Sequence, residues 1–345
     1  QPKITEEEAW TLKKRLHKGL LFFVSFLFIS GLSACMKKEE PLKKVKVAEV
    51  TRSVFYSPLY IAMEKGFFEE EGLDIDLTTV PGGDKTMTAL ISGGADIALI
   101  GSETSIYVNS QGADDPVINF VQLTQTDGTF LVSRKPVENF TWNMVKGSTF
   151  LGQRKGGMPQ MVGEFVLKKH GIDPRNDLNL IQNIDFANIS SSFASGTGEF
   201  VQLFEPTASV FEKEGVGYIV ASFGTESGKI PYTTFMTKES YLKRERETAE
   251  KFTRAIYRAQ QWIYQNPSEE AAKVVQPFFE DTETDILASS IERYKKQKSF
   301  AEDPVLDENE WNNLQDIMEE AGELPKRLDY KQFVDTSIAK SVIQN

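Results

Sequence analysis

The sequence is short of the residues that build metal centres, disulfides and thiol nucleophiles, with one Cys and two His in 345 residues. A lone Cys closes no disulfide within the chain, and Cys/His zinc clusters need more ligands than these. Basic charge is the next shortage: 39 Lys and Arg stand against 50 Asp and Glu, a formal net charge of −11. An acidic surface repels the phosphates of DNA and RNA, so no nucleic-acid partner is expected. His-Glu-x-x-His and Gly-x-Ser-x-Gly are both missing, which removes the usual signatures of zinc proteases and serine hydrolases. Gly224-Thr225-Glu226-Ser227-Gly228-Lys229 has the look of a phosphate loop but is one residue short. Ile230 also stands where that loop needs Ser or Thr. No metal, no cofactor and no catalytic residue is therefore expected. What remains is ordinary, 40% hydrophobic and 26% charged, enough for two compact domains with cores.

The N-terminus reads as a targeting segment. Lys13, Lys14, Arg15 and Lys18 form a positive n-region, and residues 20–29 are an uncharged apolar run of about ten residues. A spanning helix needs about 20, so this run fits a signal peptide instead. Leu32-Ser33-Ala34-Cys35 resembles the lipobox of bacterial lipoproteins. That resemblance implies cleavage before Cys35, a diacylglycerol on its sulfur, and an extracytoplasmic protein anchored to the cell membrane. Residues 1–34 are then the signal peptide, with residues 1–12 an upstream extension. Residues 35–44, polar and without an apolar period, are a lipidated tether.

From Val45 the chain alternates strand and helix patterns. Val45, Val47 and Val50 suit a short strand, and Ser57-Pro58 suits a helix start with Ser as cap. Leu73, Ile75 and Leu77 alternate as a strand. Pro81-Gly82-Gly83-Asp84 is a turn with a capping acid, and Met87, Leu90 and Ile91 follow at helical spacing. Ile97–Ile100 is a continuous apolar run, as a strand buried on both faces should be. Strands separated by helices predict parallel sheets of βαβ units. The theme recurs: residues 92–108 align with residues 195–211 without gaps at an offset of 103, Asp96 falling on Glu199 and Ile97 on Phe200. Two similar α/β lobes follow. Residues 129–134 and 233–238 read as strands crossing between them. Beyond Glu239 the pattern is helical, over 239–265, 283–297, 308–321 and 329–343.

Ser57-Pro58-Leu59-Tyr60-Ile61-Ala62 and residues 65–75 (KGFFEEEGLDI), with Gly93-Gly94-Ala95-Asp96-Ile97-Ala98 and Glu205-Pro206, resemble type II solute-binding proteins of ABC importers. The likeness covers about residues 45–270. It is to the branch that binds thiamine-pyrimidine precursors, sulfonates or nitrate. It implies a two-lobed periplasmic-binding-protein fold, each lobe a mainly parallel sheet flanked by helices, with a helical C-terminal third. The first lobe would take residues 45–131 and 237–345, and the second 132–236. Its implied partners are a small-molecule ligand, the permease and ATPase subunits, and the membrane through the lipid on Cys35. The repeated strand-helix units and the paired crossing strands predict closure of the lobes on the ligand about the strands near Leu131 and Phe235. A eukaryotic pyrimidine-synthesising relative depends on His and Cys residues, which this chain does not supply.

In open parallel sheets ligands sit beyond the carboxyl ends of the strands, where loops start helices. Small residues there admit a ligand to the backbone, and helix N-termini present free N–H groups. The expected ligand-binding residues are Ser53, Tyr56, Asp84, Ser102, Glu103, Thr104 and Thr126 in the first half, and Gly156, Gly157, Glu205 and Tyr232 in the second. Glu103 and Glu205 each open a helix after a buried strand, where a carboxylate either answers the helix dipole or accepts from a ligand's amino group. Phe55, Tyr56, Trp142 and Tyr232 are candidates for a flat apolar wall. Arg52, Arg154 and Lys155 point instead to an anion. The favoured ligand is a thiamine-pyrimidine precursor or similar N-heterocycle. The alternatives are a sulfonate or nitrate, and more distantly a lipoprotein enzyme or surface scaffold.

Overall fold

The structure, a computed structural model, describes residues 5–7, 10 and 41–344. The expected n-region, apolar run, cleavage site and Cys35 lie outside those residues. The chain divides into two compact units, 1–41 and 42–345, and the second carries the fold.

Strands and helices alternate along that unit as the apolar periods require. β1 (Lys43–Glu49) leads through a 3-10 turn at Val54–Tyr56 into α1 (Ser57–Glu64), α2 (Phe67–Glu70) and β2 (Leu73–Thr79). α3 (Gly83–Ile91), β3 (Ile97–Gly101), α4 (Glu103–Ser110) and β4 (Val117–Thr124) follow. The second half holds β5 (Thr129–Ser133), β6 (Thr149–Leu151), α5 (Met158–Lys169), β7 (Asn179–Ile181) and α6 (Ile189–Ala194). It continues with β8 (Phe200–Phe204), α7 (Thr207–Glu214), β9 (Tyr218–Ser222), α8 (Phe223–Ser227) and β10 (Thr233–Lys238). The rest is helical: α9 (Glu239–Arg244), α10 (Arg246–Gln265), α11 (Ser268–Val275), α12 (Thr284–Lys296), α13 (Glu308–Ala321), α14 (Tyr330–Phe333) and α15 (Ser337–Gln344).

Local details depart from the sequence reading. Ser57 is the first helical residue and not a cap, its hydroxyl donating back to the Val54 carbonyl at 2.6 Å. Asp84 falls inside the first turn of α3, and Gly82 takes the cap position. The long charged helix breaks at Glu245 into α9 and α10. The last predicted helix is two, because Val334 forms a parallel bridge to Asn119 between them.

Two five-stranded sheets result, in the orders β2-β1-β3-β10-β4 and β7-β6-β8-β5-β9. Four strands of each run one way, and the fourth in line, β10 or β5, runs against its neighbours. The expected two-lobed α/β fold is present, with sheets that are mixed. β5 pairs only inside the second sheet and β10 only inside the first. The chain therefore changes sheets in the segments before these strands, at 125–128 and 228–232, and not along them.

The repeat is a matter of register as well as pattern. Val47 pairs with Leu77 and Ile97, and Phe150 pairs with Leu180 and Phe200. These are the same three positions moved by 103. Asp96 N–H donates to the Lys46 carbonyl at 2.8 Å, and Lys46 N–H donates to the Asp96 carboxylate at 2.9 Å. Glu199 makes the same two bonds with Thr149, at 2.8 and 2.6 Å. An acid before each third strand thus locks it to the first.

The larger of two hydrophobic clusters extends through both lobes, and a smaller one packs Met87 and Leu90 of α3 on Ile100 and Met236, each fully buried large apolar side chain contributing about 1.5–3 kcal/mol. The C-terminal helices span both lobes as well. α13 packs on α4 of the first and α5 of the second. From α12, the Tyr294 hydroxyl donates to the Gly128 carbonyl at 2.8 Å and accepts from Glu205 N–H at 3.1 Å.

Candidate functional site

The carboxyl ends of both sets of parallel strands face one cleft of about 440 Å³. Its lining follows the offset of 103 in pairs: Val50 with Gln153, Thr51 with Arg154, Gly83 with Phe186, and Gly101 with Phe204. The pairs are chemically unlike. Where the first lobe has glycine the second has phenylalanine, so bare backbone faces an aromatic wall. Phe186 and Phe204 lie 6.0 Å apart between centroids, and Phe204 and Tyr232 6.5 Å. Tyr56, Met87, Ile100, Val108 and Met158 are among the other apolar residues of the lining. A flat, largely apolar ligand suits such a space.

Glu103 is the buried charged residue of its lining. It is the first residue of α4, 5% exposed and on the cleft lining. Its Oε1 accepts from Met158 N–H at 3.3 Å, a bond from the N-terminus of α5 in the opposite lobe. Its Oε2 has no hydrogen-bond partner. Burial pushes its pKa up to about 7, against the pull of backbone N–H groups, its own and those of Met158 and Thr104. A Cβ at Gly101 would sit 2.2 Å from Oε2, so only glycine leaves the carboxylate its room. The Tyr107 hydroxyl adds a second bond across the cleft, donating to the Gly156 carbonyl at 3.0 Å.

Of the residues expected from sequence, Tyr56, Asp84, Glu103, Thr104, Gly156, Gly157 and Tyr232 come together on this lining. Gly156 has φ +89°, a conformation that suits glycine. Four do not line it. Ser53 is buried where its hydroxyl donates to the Glu205 carbonyl at 3.0 Å. Ser102 donates to the Pro231 carbonyl, and Thr126 shares a 2.8 Å bond with Ser299. All three tie connecting segments together.

Glu205 is the main correction. Its carboxylate is turned into α7, accepting from Ser209 N–H and Oγ at 2.9 and 2.8 Å, with Arg293 Nε at 3.0 Å. Burial raises its pKa and Arg293 lowers it in part. Both oxygens are engaged by the fold, so the capping role is the one it fills. The aromatic wall differs as well: Phe55 is core, in ring contact with Tyr294 at 5.0 Å, and Trp142 stacks on His170 at 5.0 Å.

The expected anion site also dissolves in part. Arg52 forms an ion pair with Glu49 at 2.7 Å and does not line the cleft. Arg154 and Lys155 do line it, but Arg154 lies 4.0 Å from Asp84 across the cleft and Lys155 lies 3.6 Å from Glu323. Sequence reasoning missed Gln153, Phe186 and Phe204, which the offset of 103 names once it is carried from β3 to the other loops.

A sequence model of the NMT1-like family matches residues 38–277. The chain belongs to the NMT1-like family. This NMT1-like chain is 62% identical over 331 residues to "Putative binding protein YtlA" of Bacillus subtilis (strain 168), covering 96% of this chain and 99% of that protein. Solved structures share its fold. One is the alkanesulfonate-binding protein SsuA from Xanthomonas axonopodis pv. citri bound to MOPS. Its TM-score is 0.68 at 16% identity, over 86% of this chain and 99% of that one. Another is the periplasmic nitrate-binding protein NrtA from Synechocystis PCC 6803, with TM-score 0.67 and 18% identity, over 88% and 89%. A ligand-binding component of an ABC-type import system from Staphylococcus aureus, with zinc bound, has TM-score 0.70 at 14% identity, over 87% and 99%. The resemblance to solute-binding proteins of ABC importers read from the sequence therefore holds for family and fold. Among the described residues of this NMT1-like chain, no His, Cys, Asp and Glu cluster could hold a metal, and no helix is long and apolar enough to cross a membrane.

Proposed function

We propose that this protein is the extracytoplasmic substrate-binding component of an ABC importer, that it performs no catalysis, and that its ligand is a small N-heterocycle bearing an N–H donor. A thiamine-pyrimidine precursor is of this type. The observation that carries the reading is Glu103, a buried carboxylate on the cleft lining with one oxygen lacking a donor. An amino group on a flat ring would supply that donor, with the ring between Gly83 and Gly101 on one side and Phe186 and Phe204 on the other. The sulfonate or nitrate reading is favoured by Arg154 and Lys155, and by what two of the fold relatives are named for binding.

Glu103→Gln separates the two readings by sign. It removes the acceptor charge, so affinity for 4-aminopyrimidine should fall about ten-fold or more. Affinity for ethanesulfonate or nitrate should rise, because a negative charge leaves the cleft. Isothermal titration measures both, and tight ethanesulfonate binding strengthened by the substitution would exclude the heterocycle.

The lipid anchor on Cys35 belongs to the same proposal. The n-region, apolar run and Leu32-Ser33-Ala34-Cys35 support it, and two acyl chains give durable attachment at about 0.8 kcal/mol per buried CH₂. Cys35→Ala should abolish labelling by a palmitate analogue and leave the precursor uncleaved. Unchanged labelling would rule the anchor out.

A further inference from the structure

The offset of 103 sets Gln153 in the second lobe at the place Val50 holds in the first. Each follows the inner parallel strand of its sheet, and each lines the cleft. An apolar side chain satisfies packing at that corner of the first lobe, so the fold alone does not call for an amide in the second. Gln153 is 2% exposed, and its Nε2 donates to the Gln202 carbonyl at 2.5 Å. That bond fixes which way the amide is turned, because an oxygen facing a carbonyl would be repelled. Oε1 is left buried and without a donor.

Glu103 Oε2 is in the same condition on the opposite lobe. Native structures pair nearly all their buried polar atoms, so each exception calls for a cause. Gln122, Gln260 and Asp127 also carry unpartnered oxygens, but none of the three lines the cleft. The Tyr232 hydroxyl is unpartnered on the lining as well, but a hydroxyl can donate as readily as accept. What distinguishes Gln153 and Glu103 is that one small space lies beside two oxygens that accept only. An anion, which offers only acceptors, leaves both oxygens unanswered. An amino group set against one lobe answers the oxygen of that lobe.

We propose that Gln153 is the specificity-determining residue of the cleft, and that with Glu103 it selects a flat ring carrying two N–H donor groups, one for each lobe. This rests on the reading of Glu103 as the donor-binding residue. The amide then acts as a filter: it adds affinity for the second donor and is indifferent to the first.

Isothermal titration of 4-aminopyrimidine and 2,4-diaminopyrimidine at about pH 9, where Glu103 is ionised and both rings are neutral, tests this. Wild type should bind the diamine about ten-fold or more tightly than the monoamine. Gln153→Met, similar in volume and without an acceptor, should lose that preference. A two-donor preference that survives in a Gln153→Met variant with wild-type thermal unfolding overturns the proposal. Equal affinity of wild type for the two amines overturns it too, and requires no variant to fold. If wild type binds neither amine, the reading of Glu103 falls and takes this inference with it.

Discussion

Arg293→Met should destabilise the protein by about 3 kcal/mol, at the low end of the 3–5 kcal/mol seen when one member of a buried ion pair is removed. Glu205 is 1% exposed, so the substitution strands a carboxylate that Ser209 answers only in part. Arg293 keeps 31% of its side-chain surface exposed, and water reaching that side tempers the loss. Adding Glu205→Gln to Arg293→Met should recover most of the stability, since the neutral amide has no charge to strand. The loss should also shrink in acid. Burial already raises the Glu205 pKa, and without Arg293 it rises further, so protonation relieves the strain at higher pH. Urea unfolding of the two single variants and the double checks all three statements. A cost below about 1 kcal/mol for Arg293→Met would mean that solvent already screens the pair.

Glu103→Gln should do the opposite and stabilise the protein, above pH 7. The Glu103 carboxyl titrates near 4.5 when unfolded and at about 7 in the folded protein. A folded pKa above the unfolded one means that the native state holds the proton more firmly. Stability is therefore full below about pH 4.5, falls as pH rises, and is lowest beyond pH 7. The interval corresponds to roughly 3 kcal/mol. Asp127, pushed up to about 6 by burial, adds a slope of the same sign, so the test is the difference between wild type and variant. That difference should be near zero at pH 4 and should grow to roughly 2–3 kcal/mol at pH 8. Parallel stability curves would show that Glu103 is hydrated in the free protein. With the loss of ligand binding expected of the same variant, the result would mark Glu103 as a residue kept at the expense of stability.

The two acids show what sequence resolves and what it leaves open. Glu103 and Glu205 share one local setting, an acid beside a helix start after a buried strand. Their fates part because Arg293, far along the chain on α12, reaches Glu205, while Glu103 is met by backbone N–H groups, that of Met158 in the opposite lobe among them. No local pattern encodes that. Sheet membership was hidden for the same reason. Residues 129–133 and 233–238 are plainly strands, but their partners are set by contacts about seventy to more than a hundred residues away. Local signals fared better. The alternation of strands and helices, the turn glycines and the apolar run Ile97–Ile100 all follow from side-chain periodicity and positive-φ positions. The offset of 103 reached further than its sparse identities suggested, since it holds residue for residue in strand register and names Gln153 and Phe186 on the lining.

The placement of β10 between β3 and β4, and of β5 between β8 and β9, has a consequence for how the chain matures. A chain emerging from its N-terminus makes β1 to β4 first, yet β3 and β4 have no strand between them until residue 238 has been made. The second sheet receives β5 before its other strands exist and is complete at residue 222. Unpaired strand edges invite association with other chains, so the early half must wait in an unfinished state while the later half closes. The lobe that is begun first is finished last.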